Sequence, residues 1–99
     1  MENTKIIFNQ LKKFKPEAIV LFGSAARGEA GEDSDLDILL IKQTDKSFSD
    51  KVREARSLVR TSQPLDIIVI TPQEAKELPK KNSFLSQILK EGKLIYGRI

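Results

Sequence analysis

Apolar positions along the chain follow two periods, one typical of helices and one typical of buried strands. Helical spacing and helix-start residues predict four helices, over about 4–14, 48–59, 71–78 and 83–91, with a shorter helical turn at 24–27. Continuous apolar runs predict four strands, at 18–22, 36–42, 65–70 and, on a sheet edge, 93–96. We therefore expect an α/β (α+β) fold, a small mixed β-sheet of about four strands with helices packed on it, in one domain spanning 1–99.

The most informative polar residues lie between the first two predicted strands. Gly23 and Ser24 follow the first strand directly, and Asp35 and Asp37 stand at the start of the second. Residues 28–34 between them are polar and contain glycine, which predicts a loop. A tight turn suited to phosphate groups is thus close in sequence to two carboxylates that are two residues apart, a spacing that directs both toward one face of a strand.

A third carboxylate, Asp66, stands at the start of the third predicted strand. The segments that begin at Leu36 and Leu65 share the pattern Leu-Asp-Ile-x-x-Ile, which suggests neighbouring strands that each begin with an inward-pointing carboxylate. The connection between them contains a helix, and such a crossover favours parallel neighbours about 4.8 Å apart. If the first strand runs antiparallel to the second, the Gly-Ser turn and all three carboxylates meet at one end of the sheet.

Composition limits the chemistry that such a site could perform. The chain has 99 residues with neither Cys nor His, so it can form no disulfide and offers no thiolate or imidazole ligand. A metal site must then use oxygen ligands, which suit Mg²⁺, Mn²⁺ or Ca²⁺.

The net charge of +3 comes from basic and acidic residues that are interspersed, and we expect no strong nucleic-acid binding. The sequence has no signal-peptide pattern at its start and no apolar run long enough to span a bilayer. We therefore expect a cytoplasmic protein with no membrane partner.

Taken together, the motif favours metal-assisted phosphoryl transfer from a nucleoside triphosphate. Three neighbouring carboxylates repel one another, and a divalent cation removes that repulsion while it binds phosphate oxygens. The Gly-Ser turn at a helix start would offer backbone N–H groups and a hydroxyl to the phosphates, and Arg27 would add positive charge.

Each piece alone also has an ordinary structural explanation. An Asp-x-Asp pair is common in turns and caps, Arg27 could form a surface ion pair, and Asp66 could simply begin its strand. A P-loop is excluded, because Glu29 and Ala30 occupy the positions where that motif requires Lys and Ser or Thr. The combination of spacing and strand context is what favours the functional interpretation.

The stretch from Gly23-Ser24 through Ala26-Arg27-Gly28 to Asp35-x-Asp37 resembles the signature of the minimal nucleotidyltransferases (MNT type), members of the DNA polymerase β-like nucleotidyltransferase superfamily. The resemblance extends over essentially the whole chain and implies the polymerase β-like fold. It implies Asp35, Asp37 and Asp66 as catalytic, metal-binding residues, with Mg²⁺ (or Mn²⁺) as cofactor and ATP as substrate. Gly23, Ser24 and Arg27 would bind the nucleotide.

The resemblance also implies a partner. Minimal nucleotidyltransferases often act as antitoxins that silence a helical HEPN-type toxin by transferring AMP from ATP to one of its tyrosines. Larger relatives carry a further domain that holds the acceptor, and we see none here, which favours a protein acceptor or a second subunit, in a homo- or hetero-oligomer. Two alternatives stay open: a non-catalytic antitoxin that neutralises its partner by contact, and a small-molecule (antibiotic) nucleotidyltransferase.

Overall fold

The fold consists of a four-stranded sheet with helices on both faces, in a computed structural model that describes residues 2–28 and 35–98. The elements in chain order are α1 (Glu2–Leu11), a 3₁₀ turn (Lys12–Phe14), β1 (Ala18–Phe22), α2 (Gly23–Ala26), β2 (Leu36–Ile41), α3 (Phe48–Ser57), β3 (Leu65–Ile70), α4 (Pro72–Glu77), a second 3₁₀ turn (Leu78–Lys80), α5 (Ser83–Glu91) and β4 (Lys93–Gly97). Most of the loop predicted at 28–34 lies outside the described residues.

The sheet has the strand order β3-β2-β1-β4. Strands β2 and β3 are parallel, whereas β1 is antiparallel to both of its neighbours, β2 and β4. The mixed sheet and the directions of its first three strands are as predicted, and β4 lies at the predicted edge. The antiparallel β1 carries its last residue to the end of the sheet where β2 and β3 begin.

Two apolar layers enclose the sheet, one on each face. On one face α1 and α3 pack on the alternate strand residues that include Ile19, Ile38 and Ile67. On the other face α4 and α5 pack on the intervening residues, which include Val20 and Leu39. All five side chains of β1 are buried, because helices cover both faces of this central strand. Among the described residues no helix combines the length and the apolar character needed to cross a membrane.

Local signals explain where the helices begin. The Thr71 hydroxyl accepts from the Glu74 backbone N–H, and the Glu74 carboxylate accepts from the Thr71 backbone N–H, so that a capping box begins α4. Asn82 caps α5 by accepting from the backbone N–H groups of Phe84 and Leu85.

The predicted helix at 4–14 was too long at its end. The α-helix stops at Leu11 and the chain tightens into a 3₁₀ turn, after which Lys15 adopts a left-handed conformation with φ of 58°. Pro16 explains why no helix continues through Lys15, since a proline disfavours the right-handed α conformation in the residue before it. The strand predicted at 36–42 likewise ends one residue earlier, at Ile41, and the helix predicted at 48–59 ends at Ser57.

Candidate active site

The candidate site begins where β1 turns directly into the single helical turn α2. Phe22 is extended, and Gly23 then takes a φ of +72°, a conformation that favours glycine. The first N–H groups of a helical turn lack partners within it, so this turn and the Ser24 hydroxyl can donate to an anionic group. Ser24 is partly exposed and therefore accessible from solvent.

Gly23 is required here for a second reason, its contact with Asp37. Phe22 and Asp37 are paired across the antiparallel strands β1 and β2. A Cβ placed on Gly23 would overlap the Oδ2 atom of Asp37 and lie 3.1 Å from its Cγ. The turn and the carboxylate therefore touch, as the motif spacing predicted.

Asp37 and Asp66 are direct neighbours in the parallel pair formed by β2 and β3. Both precede residues of the apolar layer under α4 and α5, such as Leu39 and Ile68, by two positions, so they lie on that face of the sheet. Asp37 is partly buried and Asp66 is exposed. The prediction that both carboxylates point inward was wrong for Asp66, whose side chain is exposed.

Charge links the remaining predicted residues to Asp37. Partial burial of the Asp37 carboxylate raises its pKa, and the negative charges of Asp66 and then Asp35 raise this pKa further. The positive charge of Arg27 opposes this shift. Asp35 precedes β2 and is exposed. Both Asp35 and Arg27 therefore act electrostatically on the Asp37 carboxylate.

The three carboxylates are neighbours, but they are not gathered into a finished metal cluster. In the part of the chain that the structure describes, no group of three acidic side chains is close enough to hold one metal ion. The expectation that all three converge is met for the backbone positions and not for the side chains. Asp35 and Asp66 are exposed, so mutual repulsion and solvent determine where their carboxylates lie.

The chemistry of this donor set nevertheless fits a hard divalent cation. Three carboxylates at one sheet end supply the oxygen ligands that Mg²⁺ uses, and the negative charges of Asp66 and Asp35 add to the effect of burial in raising the pKa of Asp37. The side chains that would have to move to complete the set are those of the two exposed residues, Asp35 and Asp66.

A cleft that the sequence analysis missed adjoins the turn. It has a volume of about 140 Å³ and lies between α2 and α5, with Phe22 and Phe84 in its walls. The two rings meet edge to face, with centroids 6.2 Å apart. Although Phe84 is apolar, 56% of its surface is exposed. The neighbouring Leu85 is the residue that enters the core.

Comparison with known proteins agrees with this geometry. The family model described as polymerase beta, nucleotidyltransferase, matches residues 2–98. The chain belongs to this nucleotidyltransferase family. The predicted family and enzyme class are thereby confirmed.

Two curated relatives come from Methanocaldococcus jannaschii, and both carry the provisional name protein adenylyltransferase. MJ0604 is 35% identical over 79% of this chain and 76% of its own length. MJ0141 is 30% identical over 77% of this chain and 75% of its own length.

Two solved structures share the fold with a TM-score of 0.60 each. One is a provisionally assigned nucleotidyltransferase from Sulfolobus solfataricus, 20% identical, with 99% of this chain and 89% of that chain aligned. The other belongs to a toxin–antitoxin structure with AMP-PNP, 21% identical, with 95% of this chain and 73% of that chain aligned. At these identities the likeness concerns the fold, and it confirms the predicted fold class.

Proposed function

We propose that this protein is a Mg²⁺-dependent nucleotidyltransferase that transfers AMP from ATP to a hydroxyl group of a partner protein. In this proposal it is the cytoplasmic antitoxin of a toxin–antitoxin pair, and the acceptor is a tyrosine of a HEPN-type toxin. The observation that carries the proposal is the register that sets Asp37 beside Asp66 while Gly23 rests against the Asp37 carboxylate. The names of the M. jannaschii relatives and the AMP-PNP of the toxin–antitoxin neighbour support adenylyl transfer.

Three carboxylates would hold the metal: Asp35, Asp37 and Asp66. Bound there, Mg²⁺ would neutralise charge on the phosphate oxygens and so favour attack on the α-phosphorus. Asp37 is the central ligand of this set, because it is the most enclosed of the three and is affected by the charge of both others.

The Gly-Ser turn would hold the triphosphate beside these carboxylates. The backbone N–H groups of the turn and the Ser24 hydroxyl donate to phosphate oxygens, and the Arg27 guanidinium adds positive charge on the same side. Gly23 keeps the backbone close to Asp37, so that the phosphates and the carboxylates are adjacent without an intervening side chain.

Asp66 lies on the far side of Asp37 from this turn, one strand further along the sheet. We assign it the additional role of orienting the acceptor hydroxyl. The hydroxyl oxygen forms a bond to the α-phosphorus, the bond from that phosphorus to the pyrophosphate oxygen breaks, and pyrophosphate leaves. The hydroxyl proton passes to Asp66 or to water.

The test is incubation of the purified protein with α-labelled ATP, Mg²⁺ and the helical protein encoded beside it. We expect label on the partner, and we expect Asp37→Asn to reduce the rate at least about 100-fold, because even supporting residues of metal sites commonly reach that figure. Asp45→Asn is the matched control, since Asp45 is an exposed acid in the segment after β2, at the other end of the sheet.

Absence of label in the wild-type reaction would overturn the enzymatic proposal. If Asp37→Asn still neutralised the partner, contact alone would explain silencing. Transfer to a small molecule instead of the protein would reassign the acceptor. As an independent readout, Mg²⁺ with ATP at a hundredfold excess over Kd should stabilise the wild-type fold by about 2.7 kcal/mol, and this gain should vanish in Asp37→Asn.

A further inference from the structure

The cleft between α2 and α5 adjoins the turn proposed to bind the phosphates, but its wall on α5 has no role in the chemistry described so far. On one side it is lined by residues of the α2 turn and its end, Gly23, Ala26 and Arg27. Its volume of about 140 Å³ is well below the roughly 300 Å³ at which sites for drug-sized ligands begin. It can therefore hold one planar ring system but not a whole nucleotide.

The opposite wall is a single stripe along α5. Phe84, Gln87, Ile88 and Glu91 all line the cleft, and their spacing of three and four residues places them on one side of the helix. The stripe is apolar at its start and polar at its end. Phe84 offers an exposed ring, and its edge-to-face contact with Phe22 fixes that ring in place.

The polar end of the stripe presents hydrogen-bond acceptors. The Gln87 amide nitrogen donates to the Glu91 carboxylate over 3.2 Å, which uses part of its donor capacity within the protein. The Gln87 carbonyl oxygen and the second Glu91 oxygen remain as acceptors at the rim. Such a rim suits a ligand that carries an amino group.

The cleft lies beside the carboxylates and leaves space on their far side. It lies over β1, which is one strand from Asp37 and two strands from Asp66. At about 4.8 Å per strand, a ring in the cleft would leave the Asp66 side open for the acceptor. It would also lie next to the turn proposed to hold the phosphates.

We infer that this cleft is the nucleobase subsite, in which Phe84 stacks on the base and the Gln87–Glu91 rim accepts from its exocyclic amino group. The inference rests on the proposed function and extends it to the choice of nucleotide. Adenine carries such an amino group, whereas the exocyclic groups of uracil are carbonyls, so the cleft favours ATP over UTP.

The experiment compares Mg²⁺-dependent binding of ATP, UTP and inorganic tripolyphosphate by titration calorimetry. Phe84→Ala should weaken ATP binding by about 5- to 150-fold, the loss that corresponds to one stacked base. Tripolyphosphate has no base, so its affinity should be unchanged. The matched control is Phe48→Ala, because Phe48 is 58% exposed, almost the same as Phe84, and lies on α3 on the other face of the sheet.

A second variant keeps the ring and reports on it directly. The chain has no tryptophan, so Phe84→Trp introduces the only indole. We expect this variant to bind ATP as the wild type does, with its fluorescence quenched by ATP and unaffected by tripolyphosphate. The corresponding Phe48→Trp variant should show no quenching by either ligand.

The readouts separate failure of the inference from failure of the proposed function. If the wild type bound neither ATP nor tripolyphosphate, both would be overturned. If the wild type bound both but Phe84→Ala left ATP affinity intact, or weakened both ligands equally, only the base subsite would be wrong. If Phe84→Ala raised only the KM for the partner protein, the cleft would belong to the acceptor. Equal affinity for ATP and UTP would overturn the role of the rim.

Discussion

Acidic side chains at the two ends of the sheet have pKa values that are shifted in opposite directions. Where β2 and β3 begin, burial and the charges of Asp66 and Asp35 raise the pKa of Asp37. Where the same strands end, a hydrogen bond from the Thr71 backbone and the charge of Lys51 lower the pKa of Glu74. The first end concentrates like charges, and the second end pairs opposite ones.

The paired end shows how a charge can be placed almost inside the fold. Lys51 is only 5% exposed, and its ammonium group lies 3.4 Å from the Glu74 carboxylate. The same carboxylate closes the capping box of α4. Nearby, Lys42 donates to the Phe14 carbonyl and lies 4.3 Å from the centre of its ring. We conclude that charges at this end support the fold, whereas those at the other end are available to a ligand.

The largest effect should come from adding a side-chain atom between the Gly23 turn and the Asp37 carboxylate. Gly23→Ala adds a Cβ where the Asp37 carboxylate lies, so we expect nucleotide binding and transfer to fall by about 100-fold or more. Gly28→Ala is the matched control, because Gly28 has the same φ of +72° but no atom of the described residues lies within 4 Å of an added Cβ.

Both glycine variants should lose about 1–2 kcal/mol of stability to the left-handed conformation. Only Gly23→Ala should lose Mg²⁺-ATP binding, measured by titration calorimetry at a temperature where both variants are folded. Equal binding by the two variants would show that contact between the turn and Asp37 is unimportant.

At the end of the sheet where Lys51 pairs with Glu74, we expect substitutions to lower stability and to leave activity unchanged. Glu74→Ala removes half of the capping box and leaves Lys51 without its partner, so we expect a loss of about 1–2 kcal/mol. Urea unfolding measures this loss. Glu77→Ala on the same helix is the control and should change stability by less than about 0.5 kcal/mol. Transfer activity should be unchanged in both variants. A large fall in either would contradict the conclusion that the two ends of the sheet have separate roles.

The smallest effect is on the pH dependence of stability. Because the folded pKa of Glu74 is below its ordinary value of 4.5, its contribution is complete above that value and is lost as the pH falls through the folded pKa. Glu74→Gln should therefore show a flatter loss of stability as the pH falls below 4.5. Urea midpoints across this range test it, and identical slopes for variant and wild type would count against this pairing.

The backbone of the site could be predicted from the sequence, and its side-chain arrangement could not. Strand periodicity and the repeated Leu-Asp-Ile pattern were enough to predict Asp37 beside Asp66, since parallel pairing fixes Cα neighbours. Nothing local to the sequence determines where an exposed carboxylate such as that of Asp35 lies, because solvent and neighbouring charges decide it.

The cleft between α2 and α5 was not predicted from the sequence, for a related reason. Helical spacing predicts an apolar face for α5, but it does not show that Leu85 enters the core while the neighbouring Phe84 stays exposed. The burial of Lys51 was missed too, since an isolated lysine in a polar segment gives no indication of the distant Glu74 that pairs with it.

Gly92 joins α5 to β4 at a place where a side chain has no room. A Cβ on this residue would lie 2.6 Å from the Ile88 carbonyl oxygen and equally close to a methyl group of Val20. The last turn of the helix therefore rests directly on the central strand, and the same strand meets Asp37 through its final residue. Strand β1 thus connects the wall of the cleft to Asp37, since its last residue, Phe22, belongs to both. A larger residue at 92, which itself lines the cleft, would press α5 away from β1 and so change the distance from the cleft to Asp37.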